Sequence, residues 1–178
     1  MHYTNDGYGY SKGIEFKIQK NSGRISGWIA YSYSNSKRTA NDLSQLLPAY
    51  FDVPHSLILN FAYKISSSFQ ATAIYYYKSG RPYTPVISSY YDQSKNIYYP
   101  VYEKMLSESE RYPFYNRLDL RLTKYFFLKK TTLVAFFEVN NAFNHKNVVE
   151  YIYNKDYSTK TSLTISDRFL FVGVLFLF

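Results

Sequence analysis

The feature that most constrains the fold is a period-two alternation of apolar and polar residues that recurs along the chain. Between Arg117 and Thr123, leucine at every even position alternates with a charged or polar residue at every odd one. Successive side chains of a strand point to opposite faces, so this spacing predicts strands with one apolar and one polar face. The other alternating segments lie at 13–19, 25–34, 56–66, 69–78 and 133–140, and a final run, 168–178, is apolar on both faces.

The connections between these segments alternate in length. Short turns are predicted near Asn21–Gly23, Ser66–Ser68 and Lys129–Thr131, and long connections near 35–54, 80–114 and 145–165. Short turns on one rim and long loops on the other are typical of bacterial outer-membrane barrels. We therefore expect an all-β fold, an antiparallel transmembrane β-barrel. About seven strands is an odd number, whereas single-chain bacterial barrels have even numbers, so 1–178 is expected to be a partial barrel.

The aromatic composition agrees with this prediction. Aromatic residues make up 21% of the chain, with 22 Tyr and 14 Phe but a single Trp, while the mean hydropathy is −0.34. Tyrosine combines an apolar ring with a polar tip, and transmembrane barrels concentrate it in girdles at both membrane interfaces. No apolar run approaches the roughly 18 residues of a transmembrane helix. Alternating strands keep the mean hydropathy low and still present an apolar face to lipid.

The net charge is +8, which raises nucleic acid as a partner. The basic residues are scattered, however, with no cluster beyond pairs such as Lys37-Arg38 and Lys129-Lys130. Attraction to anionic lipid headgroups or anionic ligands explains the excess equally well, and a solvated surface is a further alternative. We predict outer-membrane lipid and a small-molecule ligand as partners, and no nucleic acid.

The residues that could carry chemistry are few. Cysteine is absent, so the chain has no disulfide, thiolate metal site or cysteine nucleophile. His2, His55 and His145 lie far apart and have no partner at metal-ligand spacing. No Gly-x-Ser-x-Gly, HExxH or glycine-rich phosphate loop occurs. The sequence therefore predicts that the protein is not an enzyme and has no catalytic residue, metal or cofactor.

The long connection after Ser79 carries the candidate ligand-binding residues. Aromatic loops with a few basic residues stack on planar or sugar ligands and attract anionic ones. Alternatively, these tyrosines belong to the outer aromatic girdle or pack against one another within the loop. The candidates are Arg81, Tyr83, Tyr90, Tyr91, Tyr98 and Tyr99.

Several stretches carry a family resemblance when they are taken in order. They are SKGIEFKIQKNSGRISGWIAYSYS, SGRPYTP, RYPFYNRLDLRLTKYF and FFEVNNAFNHKNVVEYIYN, followed by a last run that ends in Phe178. From about Tyr8 onward, the chain resembles the C-terminal barrel strands of TonB-dependent receptors, particularly those of Bacteroidetes-type bacteria. This resemblance implies a bacterial outer-membrane location and about seven C-terminal strands of a 22-stranded barrel.

The resemblance also implies a function and partners. Such receptors import a nutrient such as a siderophore, cobalamin, a glycan or a peptide, and the TonB complex energises them through an N-terminal plug region. Phe178, Phe176 and Val174 resemble the C-terminal signal that the barrel-assembly machinery reads. The interior charges are expected to line the water-filled interior of the barrel or to contact the plug. The apolar residues that face inward on the last run are expected to contact the plug. The interior charges are Glu15, Lys17, Lys64, Lys78, Arg117, Asp119, Arg121 and Glu138.

Two alternatives stay open. One is a small outer-membrane barrel without transport activity, an adhesin or an enzyme, and the other is a soluble β-sandwich that binds an apolar ligand. The start of the chain has neither the basic nor the apolar region of a signal peptide. An outer-membrane protein requires such a signal. We therefore expect this chain to be a receptor fragment, without signal peptide, plug domain or TonB-interacting segment, unless the outer-membrane interpretation fails.

Overall fold

The computed structural model describes residues 7–39, 45–102, 110–165 and 167–178, and all the regular secondary structure in these ranges is β-strand. The strands are β1 (Gly9–Lys20), β2 (Ile25–Thr39), β3 (Leu46–Pro48), β4 (His55–Ser66), β5 (Phe69–Lys78), β6 (Pro82–Tyr83), β7 (Val86–Asp92), β8 (Ile97–Tyr102), β9 (Glu110–Arg111), β10 (Tyr115–Phe127), β11 (Thr132–Asn140), β12 (Asn147–Tyr153), β13 (Lys160–Ile165) and β14 (Phe169–Leu177). No helix in these ranges is long and apolar enough to cross a membrane.

The long strands form one antiparallel meander. Its order is β1-β2-β4-β5-β10-β11-β14, with the short β3 paired to β2. These are the strands that the alternation predicts, and the prediction of an all-β antiparallel fold is confirmed. Within the described residues the sheet is open, because β1 pairs with β2 alone and β14 with β11 alone. Each outer strand therefore presents unpaired backbone groups along one edge.

The connections follow the predicted alternation of lengths, with two differences. Tight turns at 21–24, 67–68 and 128–131 join strands at one rim, the short-turn rim, and three long connections leave the opposite rim. The predicted connection 35–54 begins later, because β2 continues to Thr39. The longer connections are also not plain loops. Residues 79–114 contain β6 to β9, with β7 and β8 as a hairpin, and 141–168 contain the β12–β13 hairpin.

The strand register places the apolar residues of all seven strands on one side of the sheet, the apolar face. Ile18 pairs with Ile29, Ile29 with Leu59, and Leu59 with Tyr75. On the other half of the sheet, Leu122 pairs with Phe137, which pairs with Val172. Most of these side chains are well exposed, and exposure on this face reaches 74% at Ile14 and 70% at Val172. No described element packs on this face.

The opposite side, the polar face, carries the predicted interior charges. Arg117 lies 2.7 Å from Asp119 and donates a hydrogen bond to Asn140 at 2.5 Å. Arg121 lies 3.7 Å from Glu138. The register also places the remaining predicted charges, Glu15, Lys17, Lys64 and Lys78, on this face.

The last strand is the exception to the polarity of this face. Phe171 points to the polar side, where its ring lies 5.7 Å from the ring of Phe136. Phe136 also covers Gly173, at which an added Cβ would lie 2.3 Å from the Phe136 ring. An apolar strip therefore borders the polar face at β14, and Gly173 provides the space for the Phe136 ring.

Candidate functional site

The three long connections meet beyond one rim of the sheet and form a tyrosine-lined cleft. Tyr50 comes from the first connection, Tyr83 and Tyr112 from the second, and Tyr151 from the third. An antiparallel meander brings every second connection to the same rim, so segments far apart in sequence become neighbours. We call these four residues and the cavity beside them the tyrosine cleft.

Three tyrosine rings in mutual contact form the centre of the cleft. The ring of Tyr83 lies 4.5 Å from that of Tyr112 and 5.2 Å from that of Tyr151, and the rings of Tyr112 and Tyr151 are 5.1 Å apart. These separations are those of favourable aromatic pairs. Tyr83 is 8% exposed, which makes it one of the few buried apolar residues in the described ranges.

Two cations flank this cluster. The Arg81 guanidinium lies between the rings of Tyr50 and Tyr112, 4.6 and 4.8 Å from their centroids, and donates a hydrogen bond of 2.8 Å to the Val149 carbonyl. The Lys160 ammonium lies 4.4 Å from the centroid of Tyr151. Both cations contact π faces. Arg81 joins the second connection to the first and the third, and Lys160 joins the third to the second, because its ammonium also lies 5.8 Å from the centroid of Tyr83.

The Tyr83 hydroxyl is held as a hydrogen-bond donor. It donates to the Glu110 carboxylate, and Lys160 Nζ lies 3.4 Å from it. Burial raises the pKa of Tyr83, and the hydrogen bond to Glu110 and the charge of that carboxylate raise it further. Burial also raises the pKa of Tyr112, against the opposing charge of Arg81. Both phenols therefore stay neutral at physiological pH.

An ion pair anchors the first connection to the second. Arg111 lies 2.5 Å from the Asp52 carboxylate and also donates to the Asp52 and Gly80 carbonyls at 3.0 Å. Asp52 is 3% exposed and accepts a second hydrogen bond of 2.7 Å from the Ser36 backbone. At Gly80, an added Cβ would lie 1.6 Å from the Tyr112 carbonyl oxygen, so the backbone can approach this closely only with glycine.

The cavity of the cleft has a volume of about 280 Å³. It is lined by Tyr50, Tyr83, Thr84, Val86, Tyr102, Tyr112, Glu150, Tyr151 and Tyr153. Among the described residues, Glu150 contributes the only charged side chain of the lining, which does not include Arg81 or Lys160. The cavity thus offers aromatic faces, phenol hydroxyls and one carboxylate. Such a surface suits a small molecule with apolar ring faces and hydroxyl groups.

The structure divides the predicted ligand-binding residues into two groups. Arg81 and Tyr83 belong to the tyrosine cleft. The other four lie on the β7–β8 hairpin as two cross-strand pairs. In these pairs the rings of Tyr90 and Tyr99 are 5.4 Å apart, and those of Tyr91 and Tyr98 are 4.8 Å apart. None of the four lines the cavity.

The sequence pattern did not indicate four residues of the cleft: Tyr50, Glu150, Tyr151 and Lys160. Their connections were predicted, but the contacts that bring them to Arg81 and Tyr83 are long-range, such as the 68-residue separation of Arg81 and Val149. The available signal was that all three long connections contain tyrosine. That composition marks the rim as a whole and does not identify which rings meet.

The other predicted sites have plain surroundings. Val174 and Phe176 lie on the apolar face of β14, 55% and 60% exposed, and Phe178 is fully exposed beyond that strand. His55 Nδ1 lies 2.8 Å from the Tyr31 hydroxyl, and His145 Nδ1 lies 3.0 Å from Asn147 Oδ1. His2 is outside the described ranges. Within those ranges, no three His, Cys, Asp or Glu side chains are grouped to hold a metal ion.

Comparison of the chain with protein families, with curated proteins and with solved structures finds no match.

Proposed function

We propose that this chain is part of an outer-membrane β-barrel that takes up a small-molecule nutrient, in the manner of the TonB-dependent receptors that it resembles. The observation that carries the proposal is the exposed apolar face. In the described ranges, Tyr83 and Val134 are the only hydrophobic residues that are buried, whereas Ile14, Val172 and their neighbours are well exposed. Soluble monomers rarely expose a continuous apolar surface of this extent.

Lipid is the environment that satisfies such a sheet. A strand that faces hydrocarbon on one side and a polar interior on the other alternates as these strands do. A β-sandwich would instead cover the apolar face with a second sheet about 10 Å away. The described elements include no such sheet, since the two-stranded sheets all belong to the long connections.

The open edges support a segment of a larger barrel. Each unpaired backbone group in hydrocarbon costs several kcal/mol, roughly, so a membrane-embedded sheet has to close. Both β1 and β14 run from the rim of the long connections to the short-turn rim. They are therefore parallel to each other, and antiparallel closure requires an odd number of additional strands between them. In this proposal the rest of the receptor supplies those strands.

The tyrosine cleft supports a ligand-binding role at the outer rim. It lies where the long connections meet, and in barrels of this kind the long connections are extracellular. A siderophore, cobalamin, glycan or peptide that binds there would meet the polar face on its way inward. Transport would further require the plug region, the TonB complex and the barrel-assembly machinery as partners.

A fluorescence experiment tests which face contacts lipid. Trp28, the single tryptophan, lies on the polar face beside Lys17, whose Nζ is 5.4 Å from the indole. Its neighbour Ile29 points to the apolar face. The full chain is refolded into vesicles whose acyl chains carry bromine, and fluorescence is compared between the wild type and the double variant Trp28→Phe, Ile29→Trp. We expect strong quenching in the variant and weak quenching in the wild type.

The two tryptophan positions control for each other because they are adjacent on β2. Equal quenching at both, or stronger quenching of Trp28, would remove the lipid-facing role of the apolar face and with it the barrel.

A second test addresses the receptor itself. The DNA upstream of the Met1 codon is translated, and we expect a plug domain and an odd number of further strands in the same frame. A promoter and ribosome-binding site directly before Met1 would contradict the receptor proposal.

A further inference from the structure

The short-turn rim carries positive charge that no acidic side chain balances. It comprises the described ranges 20–25, 64–69, 124–132 and 175–178, which contain no Asp or Glu. The six cations of the rim are Lys20, Arg24, Lys64, Lys124, Lys129 and Lys130.

None of these six cations forms an ion pair in the described part of the chain. Arg24 Nε donates a hydrogen bond of 3.3 Å to the Lys64 carbonyl, and its guanidinium lies 5.1 Å from the centroid of the Tyr63 ring. Lys124 Nζ donates a hydrogen bond of 2.8 Å to Ser68 Oγ. The lysines of the 128–131 turn are exposed. The rim thus presents charge that is free for an external anion.

The opposite rim differs because it carries acidic side chains, and several of its described cations are paired with them. There Arg111 pairs with Asp52 at 2.5 Å, Lys95 lies 3.7 Å from Asp92, and Lys146 pairs with Asp167. The two rims therefore differ in the arrangement of charge and not simply in the number of cations.

The position of the rim cations relative to the apolar face indicates what anion they meet. Lys20 and Lys124 continue the apolar face, one alternation step beyond Ile18 and Leu122. Two residues of strand span about 7 Å. Side chains of this length cover apolar surface with their methylene groups and extend their charge outward. Phospholipids have the same order of parts, an acyl region followed by a phosphate.

We propose that the short-turn rim binds the phosphate headgroups of anionic phospholipids in the leaflet next to it. The inference rests on the proposed function, because it requires the apolar face to lie in the acyl region. Charge complementarity, the absence of ion-pair partners among the described residues and continuity with the apolar face together select a lipid surface as the occupant. The rim cations would fix the depth of the sheet in the bilayer.

Vesicle flotation with a matched pair of variants tests the proposal. The full chain is mixed with vesicles of phosphatidylcholine alone, or with vesicles in which about a third of the lipid is phosphatidylglycerol, at about 0.1 M salt. The rim variant is Lys20→Gln, Lys129→Gln, Lys130→Gln. The control variant is Lys78→Gln, Lys95→Gln, Lys155→Gln, which removes the same net charge from three exposed lysines near the other rim.

The wild type is expected to prefer the anionic vesicles. Each cation near a charged lipid surface contributes roughly fivefold to binding. We therefore expect the rim variant to lose at least about tenfold of this preference, and the control variant to keep it within about twofold. Circular dichroism of both variants should match the wild type, because all six substituted lysines are exposed and the only ion pair that the control variant breaks among the described residues is the surface pair of Lys95 with Asp92.

Two results would overturn the inference while leaving the proposed function intact. One is an equal loss of the preference for anionic vesicles in both variants, because such a loss would depend on net charge and not on the rim. The other is equal binding of the wild type to both kinds of vesicle, while brominated lipid still quenches the tryptophan fluorescence of the Trp28→Phe, Ile29→Trp variant. If the chain instead binds neither vesicle and shows no quenching at Ile29→Trp, the proposed function fails and the inference fails with it.

Discussion

The sheet and the long connections differ in how they are held together. The sheet repeats one local rule, pairs its strands through the backbone and leaves its apolar face open. The connections contain most of the well-buried side chains, including Asp52 at 3% exposure, Asn141 at 0% and Asn147 at 1%. Polar groups that are buried this deeply require partners, and each of them has one. The connections are therefore packed by the chain itself, whereas the sheet depends on its surroundings to cover its apolar face.

The largest expected effect comes from breaking the anchor of the connections. Asp52→Ala leaves the Arg111 guanidinium without its carboxylate partner at a site where Asp52 is almost fully buried. Loss of one partner of a buried ion pair costs about 3–5 kcal/mol, and we expect the lower end because Arg111 is partly exposed. Urea unfolding in detergent, followed by tyrosine near-ultraviolet dichroism, measures it. Asp167→Asn, which breaks an exposed pair, is the control and should cost at most about 1 kcal/mol.

The next effect tests the dependence of the sheet on lipid. Ile29→Arg places a charge on the apolar face, and Ala30→Arg places the same charge on the polar face one residue away. A cation on the lipid side of a barrel costs about 2–4 kcal/mol near the bilayer midplane. We expect Ile29→Arg to lower partition into neutral vesicles and Ala30→Arg to leave it nearly unchanged. Equal effects of the two substitutions would contradict the contrast between the faces.

A smaller effect concerns the link between a connection and the sheet. Asn147 imitates a strand partner, because its amide accepts a hydrogen bond of 2.8 Å from the Asn116 N–H and donates one of 3.0 Å to the Asn116 carbonyl. Asn147→Ala leaves both groups unsatisfied at a buried site and should cost about 2 kcal/mol. Hydrogen exchange of the Asn116 amide should accelerate accordingly. Unchanged exchange would show that the side chain does not hold β10.

The smallest effect is dependent on pH. The pKa of Tyr83 is raised in the folded state, so the Tyr83 hydroxyl stabilises the cleft fully below the unfolded pKa of about 10. This contribution is lost as the pH rises toward and through the folded pKa. Tyr83→Phe removes the hydrogen bond to Glu110 and should cost about 1 kcal/mol at neutral pH. Above pH 10 the difference in the free energy of unfolding between wild type and variant should decrease. A difference independent of pH would contradict the role of the protonated Tyr83 hydroxyl as a hydrogen-bond donor to Glu110.

The sheet could be predicted from the sequence because its signal is local. In β10 each leucine and its charged neighbour already define the two faces, and the register of β5 and β11 follows from the tight turns and the apolar pattern. The end of β2 was missed because residues 34–39 are polar, with pairing to β1 and β3 rather than alternation extending the strand to Thr39. The β12–β13 hairpin was also missed, because it lies inside a segment that was predicted as a long connection.

The cleft could be predicted only in outline. Arg81 and Tyr83 stand in a segment rich in tyrosine, which indicates a candidate surface. The partners that complete it, Tyr50, Tyr151 and Lys160, come from two other connections, and their meeting depends on the curvature of the sheet and on loop packing. Neither quantity has a periodic signature in the sequence. Composition therefore located the rim, and tertiary contacts determined the site.

If the chain is part of a larger barrel, as proposed, the shared direction of β1 and β14 also restricts which strands can complete that barrel. When two copies of this chain lie upright side by side in a membrane, the free edge of one meets the free edge of the other as a parallel pair, out of step with every antiparallel ladder in the sheet. Only a complement that begins and ends with strands of the opposite direction fits both edges. In the proposed barrel, strand direction alone therefore favours the missing strands over a second copy of this chain.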